Sequence, residues 1–272
     1  MKVSCFVFDL DGTLLNSENK ISDIDKETLR EISKLGIKVV IATGRSDLQI
    51  KEYVHSLGIS APIITCNGGQ IKNLVSGEII YRKLLRSCDV KDIIDYAIQQ
   101  GIDYLFYTPD YVYHSSQSER IKLFMNYNKT APEKFRVPIR PACDYPEKEA
   151  YENVLKVLII GNEATIPLLE NKFNKDNTLT IVSSGQNLID IMPENTTKGN
   201  AVSELAKYLN IPISEVVAFG DSPNDEAMLC AAGFSVAMGN ATDSIKNICD
   251  YVTKSNDDFG ITYAVNHILN EI

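Results

Sequence analysis

One stretch of sequence decides the fold of this chain: Phe6-Val7-Phe8-Asp9-Leu10-Asp11-Gly12-Thr13. Side chains alternate between the two faces of a strand, so Asp9 and Asp11 would share a face if the strand simply continued. Gly12 indicates instead that the chain turns, which raises both carboxylates above the carboxyl end of the strand, where open α/β sheets bind ligands. Two close carboxylates repel each other, and a bound divalent cation relieves the repulsion. The stretch fits either a metal site or an ordinary solvated turn.

Length and composition exclude several classes of protein. The chain has 272 residues, enough for one large domain or two modest ones, since a domain has roughly 150 residues. A net charge of −9 argues against nucleic acid as the main partner. No apolar run approaches the ~20 residues of a membrane span, and the first residues predict a strand rather than a signal peptide. The six cysteines are scattered and form no disulfide framework, so we expect a cytoplasmic protein with no membrane partner.

Strands and helices alternate in the first and last parts of the chain. The predicted strands are Val3–Phe8, Ile37–Ala42, Pro62–Cys66, Val216–Phe219, Phe234–Met238 and Tyr251–Thr253. The predicted helices are Asp23–Leu35, Asp47–Leu57, one from Lys198, Asn224–Ala232, one near Thr242–Cys249 and one from about Phe259. Near-continuous apolar strands that alternate with helices predict a parallel sheet covered on both faces, which is an α/β fold.

The pattern changes in the middle of the chain, where tyrosines and prolines are frequent. The predicted strands there are Tyr104–Tyr107, Val154–Ile160, Leu179–Val182 and Leu188–Ile191, and the predicted helices are Val90–Gln100, Ser118–Tyr127 and Ala164–Phe173. This pattern predicts an α+β domain over residues 84–192, inserted into a parallel-sheet core formed by residues 1–83 and 193–272.

Polar residues recur at the predicted strand ends and helix starts, where a parallel sheet gathers them. They are Asp9 and Asp11, Thr43-Gly44, Lys198 at a helix start, and Gly220-Asp221-Ser222-Pro223-Asn224-Asp225. Taken alone, Lys198 is more often a solvated lysine and Thr43 a capping or turn hydroxyl, while Asp221 and Asp225 fit a helix dipole as well as they fit a metal. Together they supply metal-binding carboxylates, a cation, hydroxyl and amide donors, and a carboxylate free to attack, which are the parts of a phosphoryl-transfer site.

The order of these motifs resembles that of the haloacid dehalogenase-like hydrolases, and within them the Cof-type sugar phosphatases with a class IIB cap. The motifs that carry the resemblance are Asp9-Leu10-Asp11-Gly12-Thr13-Leu14-Leu15, Thr43-Gly44-Arg45, Asn67-Gly68-Gly69, Lys198-Gly199, Gly220-Asp221-x-x-Asn224-Asp225 and Met238-Gly239-Asn240-Ala241. The resemblance implies a Rossmann-like core and an inserted α+β cap. It also implies a Mg²⁺-dependent phosphatase for small phosphorylated metabolites such as sugar phosphates.

The resemblance further implies roles for the carboxylates. Asp9 would be the nucleophile that forms an aspartyl-phosphate intermediate. Asp11 would protonate the leaving alcohol and then activate water. Mg²⁺ would be held by Asp9, by the backbone carbonyl of Asp11 and by Asp221, while Asp225 would support the water molecules on the metal.

Phosphate would be bound by residues from four motifs, and the cap would be a mobile domain that excludes water and reads the leaving group. The implied phosphate ligands are the amides of Leu10 and Gly44, together with Thr43, Lys198 and Asn224. Ser222-Pro223 departs from the Asn-x that is commoner in this loop, which concerns the shape of the loop and not its ligands. We expect a monomer or a weak homodimer.

Two alternatives remain open at this point. A phospho-accepting receiver-type signalling domain also uses an aspartate, acidic Mg²⁺ ligands, a hydroxyl and a lysine. It has no acid two residues after its nucleophile and needs no large insert, so Asp11 and residues 84–192 favour an enzyme. A phosphomutase or phosphotransferase on the same fold would instead pass the phosphoryl group to a second hydroxyl.

Overall fold

The computed structural model describes residues 2–146, 151–162 and 164–271. The strands are β1 (Cys5–Phe8), β2 (Lys38–Ile41), β3 (Ile63–Thr65), β4 (Gln70–Lys72), β5 (Ile79–Arg82), β6 (Tyr104–Tyr107), β7 (Val112–His114), β8 (Ile139–Pro141), β9 (Lys156–Ile160), β10 (Leu179–Gly185), β11 (Leu188–Pro193), β12 (Val216–Gly220), β13 (Phe234–Ala237) and β14 (Tyr251–Val252). The helices are α1 (Asp23–Lys34), α2 (Asp47–Leu57), α3 (Ser87–Gln100), α4 (Ile121–Thr130), α5 (Thr165–Phe173), α6 (Lys198–Tyr208), α7 (Glu226–Ala231), α8 (Asp243–Lys246) and α9 (Gly260–Glu271). None of the helices in these ranges combines the length and the hydropathy that a membrane span requires.

A five-stranded parallel sheet forms the core of the fold, in the order β14-β13-β12-β1-β2. The interior strand β1 is buried along its whole length, and the rings of Phe6, Phe8 and Phe219 contact one another across β1 and β12. A strand covered on both faces has to be apolar at every position, which explains the continuous apolar runs in the sequence. The predicted α/β class with a parallel sheet is confirmed.

Helix positions follow the capping signals, with some differences in length. Ser22 caps α1 by accepting a hydrogen bond from the backbone N–H of Asp25 at 3.0 Å. Helix α2 has the predicted bounds. The helix predicted near Ser118–Tyr127 instead begins at Ile121 and ends at Thr130. The Ser118 hydroxyl accepts the backbone N–H of Ile121, ahead of the first helical turn.

The third predicted strand is present, but its place in the fold differs from the prediction. Strand β3 does not continue the parallel sheet; it pairs antiparallel with β4 in a separate three-stranded sheet of order β3-β4-β5. A parallel bridge between Ala42 and Ile64 is its link to the core sheet. Cys66, Asn67 and Gly68 all have positive φ and turn the chain straight back into β4, which explains the antiparallel pairing of β3 with β4.

The chain divides into two compact units. The first unit comprises Met1–Gly44, Tyr53–Ile80 and Thr197–Ile272, and the second comprises Arg45–Glu52 and Tyr81–Thr196. The predicted domain boundaries at 83/84 and 192/193 stay predictions, and we retain residues 84–192 as a proposed cap domain.

The second unit is built on a six-stranded sheet of order β10-β11-β9-β6-β7-β8. Its pairings are antiparallel except for the parallel pair β7 and β8, which the sequence pattern did not predict. One face carries an apolar core that includes residues of α3 and α5. On the opposite face Lys156 forms a buried ion pair with Asp190 at 2.7 Å, and its ammonium lies 4.7 Å from the centre of the Tyr107 ring.

Candidate active site

Three neighbouring strands of the core sheet bring polar residues to one edge. Asp9 directly follows β1, Asp221 directly follows β12, and Thr43 lies two residues after β2. Because β12, β1 and β2 are parallel neighbours, their carboxyl ends meet at the same edge of the sheet. The backbone N–H of Asp9 donates to the carbonyl of Phe219 at 3.0 Å, which ties the start of this turn to β12. The structure therefore assembles the residues that the sequence predicted at separate strand ends.

Lys198 is the cation at the centre of this cluster. It is the first residue of α6, and the hydroxyl of Thr197 caps that helix by accepting the backbone N–H of Asn200 at 3.1 Å. The Lys198 ammonium donates to Asp9 Oδ1 and to Asp225 Oδ1, the latter at 2.6 Å. Its side chain is completely buried, and a buried ammonium is stable only when carboxylates or similar acceptors compensate its charge.

Asp225 uses both carboxylate oxygens to hold neighbouring groups in place. Its Oδ1 accepts from Lys198, while its Oδ2 accepts the backbone N–H groups of Asp221 and Ser222 at 3.0 and 3.1 Å. The residue is fully buried at the end of a 3₁₀ turn that leads into α7. Asp225 thus orients Lys198 and the loop after β12.

Asp221 lies tightly against the turn that follows β1. Its Oδ1 accepts a hydrogen bond from the Thr13 hydroxyl at 2.8 Å. Gly12 has φ +82°, and a Cβ at this position would lie 2.5 Å from Asp221 Oδ2. Only glycine fits this combination of a left-handed backbone and a close approach. The sequence signalled the turn at Gly12, but the contact of Thr13 with Asp221 was missed.

The predicted phosphate ligands Thr43, Gly44 and Asn224 surround a residue to which the sequence analysis gave no role. This residue, Asn67, donates its backbone N–H to the carbonyl of Thr43 at 3.0 Å and accepts from Asn224 Nδ2 at 3.1 Å. A Cβ on Gly44 would lie 3.0 Å from Asn67 Oδ1. The Asn-Gly-Gly motif was the one signal for this residue.

The remaining two predicted residues lie in the turn after β1 and differ in exposure. The Leu10 side chain is fully buried, and its carbonyl accepts the backbone N–H of Leu15 at 2.8 Å. Asp11 is exposed, and its backbone forms an isolated bridge with Leu15. The turn therefore presents Asp11 toward solvent while Asp9, two residues earlier, is buried.

The cluster has more negative charge than the structure neutralises. Burial raises the pKa of Asp9 well above its ordinary range, and the carboxylates of Asp225, Asp221 and Asp11 raise it further against the opposing effect of Lys198. Burial and the neighbouring Asp225 raise the pKa of Asp221 to about 7. Lys198 remains an ammonium: burial lowers its pKa, but the charges of Asp225 and Asp9 outweigh that effect and raise it.

Three of these carboxylates are close enough to share a cation. One oxygen each from Asp9, Asp221 and Asp225 lies within 4.8 Å of the other two. Carboxylate oxygens are ligands for hard divalent ions, and the unrelieved repulsion between them favours binding such an ion. The donor set therefore fits a metal of the Mg²⁺ type.

Comparison with known proteins identifies the family. A profile of the haloacid dehalogenase-like hydrolases matches residues 6–265, almost the whole chain. The chain belongs to the haloacid dehalogenase-like hydrolases. Within this family it is of the Cof type.

The relatives of this haloacid dehalogenase-like hydrolase include phosphatases of similar length. The 5-amino-6-(5-phospho-D-ribitylamino)uracil phosphatase YwtE of Bacillus subtilis is 31% identical, with 98% of this chain and 99% of that protein covered. A haloacid dehalogenase-like hydrolase from Bacteroides thetaiotaomicron has a TM-score of 0.85 at 29% identity, with 98% and 100% covered. A sugar phosphatase of subclass IIB has a TM-score of 0.83 at 25% identity, with 98% and 99% covered. The chain is a phosphatase, and the receiver-type alternative is set aside.

We expect the metal-free protein to lose thermal stability as the pH rises from 5 to 8. Folding raises the pKa of Asp221 from its ordinary 3.8 to about 7, so the folded state binds this proton more tightly than the unfolded chain. Stability therefore falls as the pH rises through about 7, and MgCl₂ should increase Tm more at pH 8 than at pH 5. Circular dichroism melts with and without MgCl₂ measure both effects.

Asp221→Asn is the control for this pH dependence, because the amide keeps the shape of the side chain without its titration. Its metal-free Tm should fall less between pH 5 and 8, and MgCl₂ should raise its Tm less at pH 8. Equal pH profiles for the two proteins would contradict the assignment to Asp221.

Gly12→Ala should weaken Mg²⁺ binding about tenfold or more, because the new Cβ displaces the carboxylate of Asp221. Gly36→Ala is a matched control: Gly36 has φ +83°, and a Cβ there would meet nothing within 4 Å. Both variants carry the same backbone strain, and titration calorimetry with MgCl₂ separates the two effects. Equal dissociation constants in the two variants would rule out a contact effect at Asp221.

Proposed function

We propose that this protein is a Mg²⁺-dependent phosphatase that hydrolyses small phosphorylated metabolites, such as sugar phosphates, through an aspartyl-phosphate intermediate. The observation that carries the proposal is the buried carboxylate of Asp9, held by Lys198 at the carboxyl end of β1. The substrate class is supported by two relatives, one named for a phosphoribitylamino compound and one a sugar phosphatase.

In the first chemical step, a carboxylate oxygen of Asp9 attacks phosphorus. The new bond joins this oxygen to phosphorus, and the bond between phosphorus and the leaving alcohol oxygen breaks. The hydrogen bond from Lys198 to Oδ1 fixes the orientation of the carboxylate, so less motion is needed to reach the attacking geometry. Asp225 fixes Lys198 in turn.

Asp11 transfers the protons in both steps of the proposed reaction. As a carboxylic acid it protonates the leaving alcohol oxygen, and as a carboxylate it then removes a proton from the water that attacks the phosphorus. The bond between Asp9 and phosphorus breaks in this second step, which restores the Asp9 carboxylate and releases phosphate. The exposure of Asp11 suits this role, because an exposed carboxyl can exchange protons with solvent.

The phosphoryl group would be held by donors that surround Asp9. We assign this role to the amides of Leu10 and Gly44, the hydroxyl of Thr43, the ammonium of Lys198 and the side-chain amide of Asn224. A transferring phosphoryl group carries spread negative charge, and fixed donors stabilise that charge without reorganising.

Mg²⁺ would be held by Asp9, the backbone carbonyl of Asp11 and Asp221, with Asp225 supporting its water molecules. Asp225 suits the indirect role, because Lys198 and two backbone N–H groups already occupy its oxygens. When bound, the ion supplies positive charge that stabilises the phosphoryl oxygens and offsets the repulsion among the carboxylates.

Asp9→Asn should reduce Mg²⁺-dependent hydrolysis of an aryl phosphate by about 10⁴-fold or more, because the amide cannot act as the nucleophile. The fold should persist, since an amide oxygen can still accept from Lys198. Mass spectrometry of acid-quenched protein should find one added phosphoryl group on the peptide with Asp9 in the wild type and none in the variant. Appreciable turnover by the variant would refute the nucleophile assignment.

Asp11→Asn should slow phosphoenzyme formation from an alkyl phosphate by about 10²-fold or more, because the alkoxide then leaves without its proton. An aryl phosphate should lose much less, since its leaving group is stable as an anion. Single-turnover acid quench measures this first step separately from the later hydrolysis. Equal losses on both substrates would argue against the acid role.

The transferase alternative is tested with an acceptor sugar. If the protein is a hydrolase, the rate of phosphate release from a sugar phosphate stays the same when an unphosphorylated sugar is added. Transfer to the added sugar in place of phosphate release would identify a mutase or phosphotransferase.

A further inference from the structure

The segment Cys66–Gly68 has an unusual backbone for a buried part of the molecule. Its three successive φ angles are +51°, +52° and +102°, and all three residues are buried. Positive φ is rare outside glycine and costs free energy at a residue such as cysteine, so it persists only where the surrounding structure holds it.

Asn67 contacts both loops to which we assign phosphate binding. Its backbone N–H donates to the carbonyl of Thr43, and its side-chain Oδ1 accepts from Asn224 Nδ2 at 3.1 Å. Its amide also packs against the Cα of Gly44, where a Cβ would lie 3.0 Å from Oδ1. With only 2% of its surface exposed, the residue is fixed between the loops after β2 and β12.

The contact with Asn67 is one of two that fix the side-chain amide of Asn224. The Ser222 hydroxyl donates to Asn224 Oδ1 at 2.6 Å, while Asn224 Nδ2 donates one hydrogen to Asn67. An amide nitrogen carries two hydrogens, so the second remains for a ligand. Rotation of the Asn224 amide by half a turn would place its oxygen against Asn67 Oδ1, and two acceptors repel. The Ser222 hydroxyl could donate to or accept from either end of the amide, so the contact with Asn67 decides which side of Asn224 carries the donors.

The next residue, Gly68, holds the segment in place. A Cβ on Gly68 would lie 2.3 Å from the carbonyl oxygen of Thr197, the residue that caps α6 just before Lys198. No side chain fits in this gap, so the backbone of Gly68 packs directly on the start of α6. Asn67 is thereby anchored to the same helix start that positions Lys198.

We propose that Asn67 is a positioning residue for the phosphoryl group, which acts through Asn224 and is assisted by Ser222 at the other end of the same amide. The proposal rests on the proposed function, because it takes phosphate as the ligand of Asn224. Asn67 orients the donor and does not itself contact the phosphoryl group.

Asn67→Gly tests this role, because glycine adopts φ +52° without strain and removes the amide. We expect the dissociation constant for inorganic phosphate with MgCl₂, measured by titration calorimetry, to rise about tenfold, as for the loss of one hydrogen bond. KM for an aryl phosphate should rise more than kcat falls, because the lost interaction is made in ground and transition states alike. An unchanged dissociation constant would overturn the proposal.

Two further variants define how Asn67 acts. Asn210→Gly makes the same substitution at φ +55° on an exposed residue, and phosphate binding should remain at the wild-type level. The double variant Asn67→Gly with Asn224→Ala should bind phosphate no more weakly than Asn224→Ala alone, since the two residues act as a unit. Additive losses would show that Asn67 does not act through Asn224 and would overturn the proposal.

The remaining outcomes separate this proposal from the proposed function. If Asn67→Gly fails to fold, Ser222→Ala tests the proposal instead, because it removes the hydrogen bond at the other end of the Asn224 amide. Several-fold weaker phosphate binding in Ser222→Ala supports the proposal. Unchanged phosphate binding overturns it. If the wild-type protein binds no phosphate and releases none from an aryl phosphate, the proposed function fails and this proposal with it. Normal wild-type activity with no effect of either substitution overturns the positioning role alone.

Discussion

The site depends on one buried ammonium group shared by two buried carboxylates. Lys198 joins Asp9 at the end of β1 to Asp225 in the loop after β12, and it stands at the first turn of α6. Three separate parts of the chain are thus held by one charge. One lysine cannot balance the charges of Asp9, Asp221 and Asp225, so the cluster keeps a deficit of positive charge. This deficit of positive charge favours a cation at the three neighbouring carboxylates.

Two glycines let the loops of the site pack closely against each other. Gly12 lets Asp221 lie against the turn after β1, and Gly68 lets the strained segment Cys66–Gly68 pack on the start of α6. In both cases the absence of a side chain brings a polar group of one loop within reach of another. The loops after β1, β2, β3 and β12 therefore behave as one packed assembly, in which a small shift in one loop alters the groups presented by its neighbours.

The sequence predicted those parts of the fold and the site that depend on local signals. The apolar runs of β1 and β12 predicted a buried parallel sheet, and polar residues after them predicted the edge at which the site forms. It did not predict features that depend on contacts between residues far apart in the chain. Asn67-Gly68-Gly69 signals a turn after β3, but no local pattern shows that β3 pairs with β4 in a separate sheet. The contact of Asn67 with Asn224 joins residues 157 positions apart, and no periodicity encodes it.

The buried pair of Lys156 and Asp190 has a consequence for folding of the six-stranded sheet. Side chains alternate between the two faces of a strand, so a slip of β9 or β11 by one residue would move a charged side chain into the apolar core on the opposite face. An isolated charge in such surroundings is strongly unfavourable. The pair therefore penalises misaligned pairing of β9 and β11, whose other residues are apolar and could pack in more than one register.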